Sequence, residues 1–395
     1  MKNYKLQIVE GFKDIFGKEM LLRKEIEKIA LDVFRHHGYE HIKTPQVEYI
    51  DVYSTKGVQK PDLYNLINRQ GEVLALCNDM TSSIARFVCS REFNKETKKY
   101  CYLADTFRYP RQYQGKKHEF LQAGIELIGQ KSIYKDIECI YISTKVLKSC
   151  NVNSYTVHLG SSDFIHALLN DFKIDEANQK RIHEAIENKN YVLLREILLE
   201  CDNQEHSKFI IDLMMKGGHL RYLETLMDYL KGMSSYDVLV YLKGVYQGLK
   251  DMGIENIIFD FSIYSYAEYY TGIVYEIYVN GLSKSIVSGG RSDKLFAYFG
   301  KDYDDVGFGL DVDTLTEYVL KNNLIDISCV KYLAISDSKS FTYTLKNNEE
   351  LISNGIIVNN IDNMNLDEAL EYAKNNGYSA VLEYKNNSVK KWEVM

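Results

Sequence analysis

Four short segments hold residue types whose spacing could do chemistry. In Leu76-Cys77-Asn78-Asp79-Met80-Thr81, a carboxylate stands two residues before a hydroxyl. An extended turn there would point both groups at one ammonium ion. Taken alone, Asp79 reads first as the N-cap of a helix that starts at Thr81. The second segment runs from Phe107-Arg108 to Glu126 and reads as two apolar-flanked strands joined by a basic loop, Arg111–Lys117. At period two, Gln122, Gly124 and Glu126 share a face; with Arg108 opposite, they would form a polar pocket floor. The third segment, Glu268–Glu276, contains Tyr269 and Tyr270. The fourth places Gly289 and Gly290 just before Arg291 and Asp293. Two glycines permit close backbone approach, and the arginine and aspartate have the spacing of a buried pair.

These segments need elements to hold them. Leu22, Ile26, Ile29 and Val33 recur at helical spacing between Glu19 and His37, and Gly38 then fits a C-terminal stop. Residues 72–76 and 101–104 read as strands with a helix over Thr81–Cys89 between them. Residues 119–129 fit strand or helix by period alone. Tyr155, Val157 and Leu159 alternate on one side of a half-buried strand over 155–160. From about 162 to 253 charged helical segments dominate, which marks a helical insertion. Strands return at 257–263 and 272–279. A last unit of strand, helix, strand, helix and strand, from 328 to 395, reads as a small α/β domain with a partly parallel sheet.

The chain has 395 residues, 45% of them hydrophobic, with 48 basic and 55 acidic residues and a formal net charge of −7. At ~100–200 residues per domain this suggests two or three domains. Three prolines exclude collagen-like and Pro-rich architectures, and 32 tyrosines with 16 phenylalanines exclude a disordered chain. The acidic balance argues mildly against a protein that lives on nucleic acid. Seven scattered cysteines, with no CxxC, fit neither a disulfide framework nor a structural metal. There is no signal-peptide run and no membrane-length apolar stretch, so the expected compartment is the cytoplasm. Dinucleotide and P-loop fingerprints are also missing, and no cofactor is expected.

Taken together, the order FR…GKKHEFLQAGIE, then YYTGIVYE, then GGRSDKL, then VGFGLD resembles the catalytic core of class II histidyl-tRNA synthetases. Within that family it most resembles the paralogue that serves as regulatory subunit of ATP phosphoribosyltransferase. The resemblance spans roughly residues 8–317 and implies an α+β fold, an antiparallel sheet flanked by helices. Motif 1 would lie near Lys43–Glu48, motif 2 at Phe107–Glu126 and motif 3 at Val306–Leu315. The synthetase-like core would occupy 1–322, and the domain at 328–395 would be a reduced anticodon-binding domain. A homodimer through motif 1 is implied.

Departures from the synthetase pattern shape the functional expectation. The resemblance puts Pro110 where a glutamate holds ATP, Ser265 where an arginine stabilises the activated carboxylate, and Thr314 where the motif 3 arginine grips the triphosphate. The loop arginines fall on Lys116 and His118, a Gly-Leu-Asp on Tyr266-Ala267-Glu268, and a motif 3 glycine on Asp311. Each lost donor would remove ~2.7–4 kcal/mol of transition-state stabilisation. By contrast, Asp79, Thr81, Arg108, Gln122, Glu126, Tyr269 and Tyr270 fall on positions that hold histidine, although Asp79 is one methylene shorter than the family's glutamate. A carboxylate facing an imidazole N–H and an aromatic wall suit that ring. The resemblance therefore implies a non-catalytic subunit that works with a short-form phosphoribosyltransferase, four chains with four, in the first step of histidine synthesis. It also implies feedback by histidine, with tRNA binding not expected. The alternative is a histidyl-tRNA synthetase with atypical motifs 2 and 3.

Overall fold

The computed structural model describes residues 4–54, 63–91, 97–109, 117–201, 203–263, 270–362 and 364–394. The chain divides into two compact units, Met1–Ile325 and Asp326–Met395.

In the first unit, helix α1 (Gly17–His36) leads to short strands β1 (Glu40–His41), β2 (Val47–Tyr49), β3 (Asn65–Ile67) and β4 (Val73–Leu76). Helix α2 (Met80–Cys89) precedes the long strands β5 (Lys98–Phe107) and β6 (Glu119–Gly129). Next come α3 (Ile133–Ser149), β7 (Tyr155–Ser161) and six helices: α4 (Ser162–Asp171), α5 (Glu176–Glu187), α6 (Tyr191–Leu199), α7 (Gln204–Met215), α8 (Leu220–Tyr229) and α9 (Ser234–Asp251). The unit closes with β8 (Ile257–Phe259), β9 (Thr271–Val279), β10 (Val287–Arg291), α10 (Asp293–Tyr298), β11 (Asp304–Asp311) and α11 (Val312–Asn322).

One eight-stranded sheet organises these elements, in the order β1-β5-β6-β11-β10-β9-β7-β8. Its interior is antiparallel, as expected for the fold, but both edges are parallel, β1 with β5 and β7 with β8. A separate three-stranded sheet runs β2-β4-β3. Helices α1, α3 and α11 pack together and against one face of the large sheet. That face is apolar: Phe34 of α1 meets Phe308 edge-on, with ring centroids 5.9 Å apart. The α1 stripe differs from the expected one. Leu22, Ile26, Ala30 and Phe34 are buried at a spacing of four, whereas Ile29 and Val33 are half-buried. Two Cβ carbons per turn compete for the sheet side, and the aromatic Phe34 wins because it buries the larger surface.

On the opposite face Tyr100, Tyr102, Ala104 and Ile128 pack against α2 and α10, and Gln122 and Glu126 stand among them as polar groups. Between Glu126 and Gly307, and between Gln122 and Asp311, the register sets β6 and β11 residues side by side on this face. The insertion α4–α9 has its own core around Leu168, Ile182, Ile197, Leu213 and Leu242, all at most 2% exposed.

The second unit contains β12 (Lys331–Ser336), α12 (Phe341–Ser353), β13 (Ile357–Asp362), α13 (Leu366–Asn375), β14 (Ala380–Lys385) and β15 (Ser388–Glu393). Its strands run β13-β12-β14-β15, parallel across the first two pairings and antiparallel at the last. The fourth strand goes beyond the alternating pattern read from sequence. Asn386 and Asn387 both take positive φ, 51° and 54°, and close a two-residue hairpin of the kind asparagine favours.

Candidate functional site

The site begins at the N-terminus of α2. Asp79 is its N-cap: the carboxylate accepts from Thr81 N at 3.3 Å, Ser82 N at 3.4 Å and Ser82 Oγ at 3.2 Å. Its oxygens satisfy helix donors that would otherwise have no partner. Holding the helix end this way aims the next hydroxyl across the sheet. Thr81 Oγ1 donates to Glu126 Oε1 at 2.6 Å.

The floor is β6. Gln122, Gly124 and Glu126 do share one face, and Tyr102 of β5 donates to Gln122 Oε1 at 3.1 Å. Depth comes from glycines. A Cβ on Gly307 would collide with Glu126 Oε2, one on Gly309 with the Gln122 amide, and one on Gly124 with Tyr102 and the Phe308 carbonyl. Any side chain on these three strand positions would push the polar residues out of the floor. In β10, a Cβ on Gly289 would come within 2.6 Å of the Gly307 carbonyl and one on Gly290 within 2.7 Å of the Ile273 carbonyl, so neither position has room for a side chain.

Arg108 stands at the rim. Its Nε donates to the Asn78 carbonyl at 3.4 Å, and its guanidinium lies 5.2 Å from the Phe120 ring centroid. Tyr270 is half-buried, and its phenol is held protonated by burial and by the fields of Asp79 and Glu126. The structure thus brings together Asp79, Thr81, Arg108, Gln122, Glu126 and Tyr270. Tyr269, Pro110, Ser265, Lys116 and Tyr266-Ala267-Glu268 lie outside the described residues.

Glu126 is 2% exposed, and beside it stands a residue the sequence reading passed over, Asp305 of β11, at 1%. The two carboxyls are close enough that each shifts the other's affinity for a proton. Burial comes first in raising the Glu126 carboxyl well above its ordinary range, and the Asp305 charge comes second. Burial likewise pushes Asp305 up to about 7, against the pull of the Ser292 hydroxyl, which donates to its Oδ2 at 2.6 Å. Period two along β11 places Asp305 and Gly307 on one face, and Gly307 is the register partner of Glu126. The signal for Asp305 was therefore available once β11 was paired with β6.

Arg291 and Asp293 pair as expected, Nη1 to Oδ1 at 3.2 Å, but the arginine also faces Asp136 of α3 at 3.3 Å. Arg291 and Asp136 are at most 1% exposed, and Tyr241 of α9 donates to Asp136. This cluster ties the sheet to α3 and the insertion, and its cation is occupied by its own acids.

The start of α11 is closed to anions. Asp311 caps it, accepting from Thr314 N at 2.8 Å and Thr314 Oγ1 at 2.6 Å, while Lys284 Nζ sits 2.9 Å from its other partner oxygen, Oδ2. A helix N-terminus is a ready anion site; here the chain's own carboxylate fills it. His118 packs against Tyr64 and Tyr109 instead of reaching this region. Among the described residues no cluster of His, Cys, Asp or Glu is arranged for a metal ion, and none of the seven cysteines is in a disulfide. No helix of the described residues is long and apolar enough to cross a membrane.

Comparison with known proteins gives this geometry a family. The family model described as histidyl-tRNA synthetase matches residues 11–315. A protein of Clostridium kluyveri named ATP phosphoribosyltransferase regulatory subunit is 30% identical over 381 residues, covering 94% of this chain and 97% of that one. A protein of the same name from Caldanaerobacter subterraneus subsp. tengcongensis is 31% identical, covering 78% and 81%. Among solved structures, an ATP phosphoribosyltransferase regulatory subunit/histidyl-tRNA synthetase from Bacillus halodurans matches with a TM-score of 0.83 at 25% identity, over 97% of this chain and 99% of that one. A histidyl-tRNA synthetase from Nostoc shares the fold at a TM-score of 0.78 and 21% identity. The matched family model and the long alignments agree: the chain belongs to the histidyl-tRNA synthetase family, in its branch of ATP phosphoribosyltransferase regulatory subunits.

Proposed function

We propose that this chain is a non-catalytic regulatory subunit of ATP phosphoribosyltransferase, working with a short-form catalytic subunit in the first step of histidine synthesis. One observation carries the non-catalytic reading. Where a synthetase would grip a triphosphate, Asp311 caps α11 and Thr314 offers only a hydroxyl, already donated to that carboxylate. A phosphate brought there meets a half-buried carboxylate, and the nearby Lys284 is already paired with that carboxylate.

The polar floor supports a complementary role as a histidine pocket. Thr81, Gln122 and Glu126 offer acceptors to an ammonium and a ring N–H, Tyr270 offers a ring face, and Arg108 stands ready for a carboxylate. Histidine held here would act as the feedback signal by binding two states of the assembly unequally. The proposed assembly is four regulatory chains with four catalytic chains, built on a homodimeric core, in the cytoplasm, without tRNA.

The test is reconstitution. Co-expression with a short-form catalytic subunit should yield a stable complex whose ATP- and phosphoribosyl pyrophosphate-dependent activity rises at least about tenfold over the catalytic chain alone, and falls when histidine is added. Histidine-dependent ATP–pyrophosphate exchange by this chain should be at background. Robust exchange would replace this reading by an active synthetase, and absence of a complex would remove the regulatory role.

A further inference from the structure

Two buried oxygens at the floor of the pocket, Glu126 Oε2 and Asp305 Oδ1, have no hydrogen-bond donor within reach among the described residues. Each of the other oxygens has one: Thr81 Oγ1 donates to Glu126 Oε1 at 2.6 Å, and Ser292 Oγ donates to Asp305 Oδ2 at 2.6 Å. The two oxygens left over belong to carboxyls that shift one another's affinity for a proton. Two acceptors satisfy each other only when one of them carries a proton. Among the described residues no cation is bonded to either oxygen. Arg291, whose charge acts on Asp305, is held by Asp136 and Asp293.

We propose that Asp305 is a positioning residue for the bound ring, fixing Glu126 through one proton shared between the two carboxyls so that the ligand meets Glu126 Oε1 as an acceptor. This deepens the histidine-pocket reading and rests on it. Gly307 supplies the space, since a Cβ there would occupy the position of Glu126 Oε2. Thr81 takes one side of Oε1, so a ligand N–H would be received by its remaining lone pair. The ligand class follows: a heteroaromatic ring that offers an N–H, and not one that offers only acceptors.

The surroundings set the direction in which the pair responds. Asp79 from α2, Asp293 beside α10 and Asp305 itself all disfavour ionisation of Glu126 or of its partner; Arg291 from β10 and the Thr81 and Ser292 hydroxyls favour it. Tyr102 from β5, Tyr270, Tyr39 and Cys139 of α3 face the Glu126 charge as neutral groups, their own protons held by burial. Removing one carboxyl removes a like charge, and the other then ionises at lower pH.

The test is the pH profile of L-histidine affinity, measured by calorimetry on the full chain between about pH 6 and pH 9, with the free ligand's own ionisation divided out. In the wild type the remaining protein midpoint should lie at or above neutrality. In Asp305→Asn it should move down by at least about one pH unit, a tenfold change in proton affinity. Ser292→Ala keeps both carboxyls and removes only the hydroxyl that stabilises ionised Asp305, so its midpoint should move up. Opposite displacements by two substitutions are not what general loosening of the fold produces, and circular dichroism of each variant confirms that it is folded. Histidine binding with an unmoved midpoint in both variants overturns the role of Asp305 and leaves the pocket standing. If the wild type takes no histidine at any pH, the pocket and this role fall together.

Discussion

Replacing Asp305 by asparagine should make the first unit more stable above neutral pH and leave it nearly unchanged in mild acid. Asp305 is 1% exposed and titrates at about 7 in the folded chain, against an ordinary value of 3.8. A carboxyl raised in this way binds its proton more tightly folded than unfolded. Its stabilising contribution is complete below the unfolded value, near 4, and is lost as pH climbs through about 7. Roughly three pH units at 1.36 kcal/mol each make the full penalty about 4 kcal/mol, an upper bound because the proton is shared with Glu126. Asparagine carries no charge to desolvate, and it keeps an acceptor for Ser292 Oγ at a cost of about 1 kcal/mol for a weaker, uncharged hydrogen bond. The net expectation is a gain of about 2–3 kcal/mol at pH 8 and of only about 0–1 kcal/mol at pH 5, where roughly one pH unit of the penalty has accrued. Urea denaturation at both pH values, followed by far-UV circular dichroism, measures it. The single tryptophan, Trp392, lies in β15 of the second unit and reports on that unit alone. A loss of stability at pH 8, or equal effects at pH 5 and pH 8, would refute the reasoning.

Three further outcomes follow from geometry. Gly307→Ala sets a methyl group against Glu126 Oε2, so histidine affinity measured by calorimetry should drop at least about tenfold while the chain remains folded. Arg291→Met strands Asp136 and Asp293 without their cation, and urea midpoints should report a loss of about 3–5 kcal/mol. Phe34→Ala opens a cavity between α1 and Phe308 and should cost about 3–5 kcal/mol in the same assay, without altering the pH dependence of stability.

Much of the fold was legible because its strands alternate and its helices carry clear caps. The alternation Ile273, Tyr275, Ile277, Val279 is the buried side of β9, and Asp79 is the N-cap that its position suggested. Residues 119–129 stayed ambiguous in sequence because nearly every position of β6 is buried, so no polar side betrays the period. The strand resolves only through its pairing with β5 and β11. The same dependence on pairing explains the missed site residue. Asp305 sits in an acidic run, Asp302 to Asp305, that reads as a solvated turn. Only the register of β11 on β6 shows that it points inward. Local sequence also could not reveal that Thr81, 45 positions away from Glu126, would donate to it.

The cap on α11 makes any route to phosphate binding at this helix end a matter of order. Placing an arginine at position 314 alone would set its guanidinium against Asp311, where it would form an internal salt bridge and remain unavailable to a phosphate. Removing Asp311 alone would release Thr314 and Lys284 and leave the first turn of α11 uncapped, a cost of about 1 kcal/mol with no new activity. Neither single change is rewarded, and the two are useful only together. A helix end closed in this way is therefore kept closed by the topography of its mutational neighbourhood.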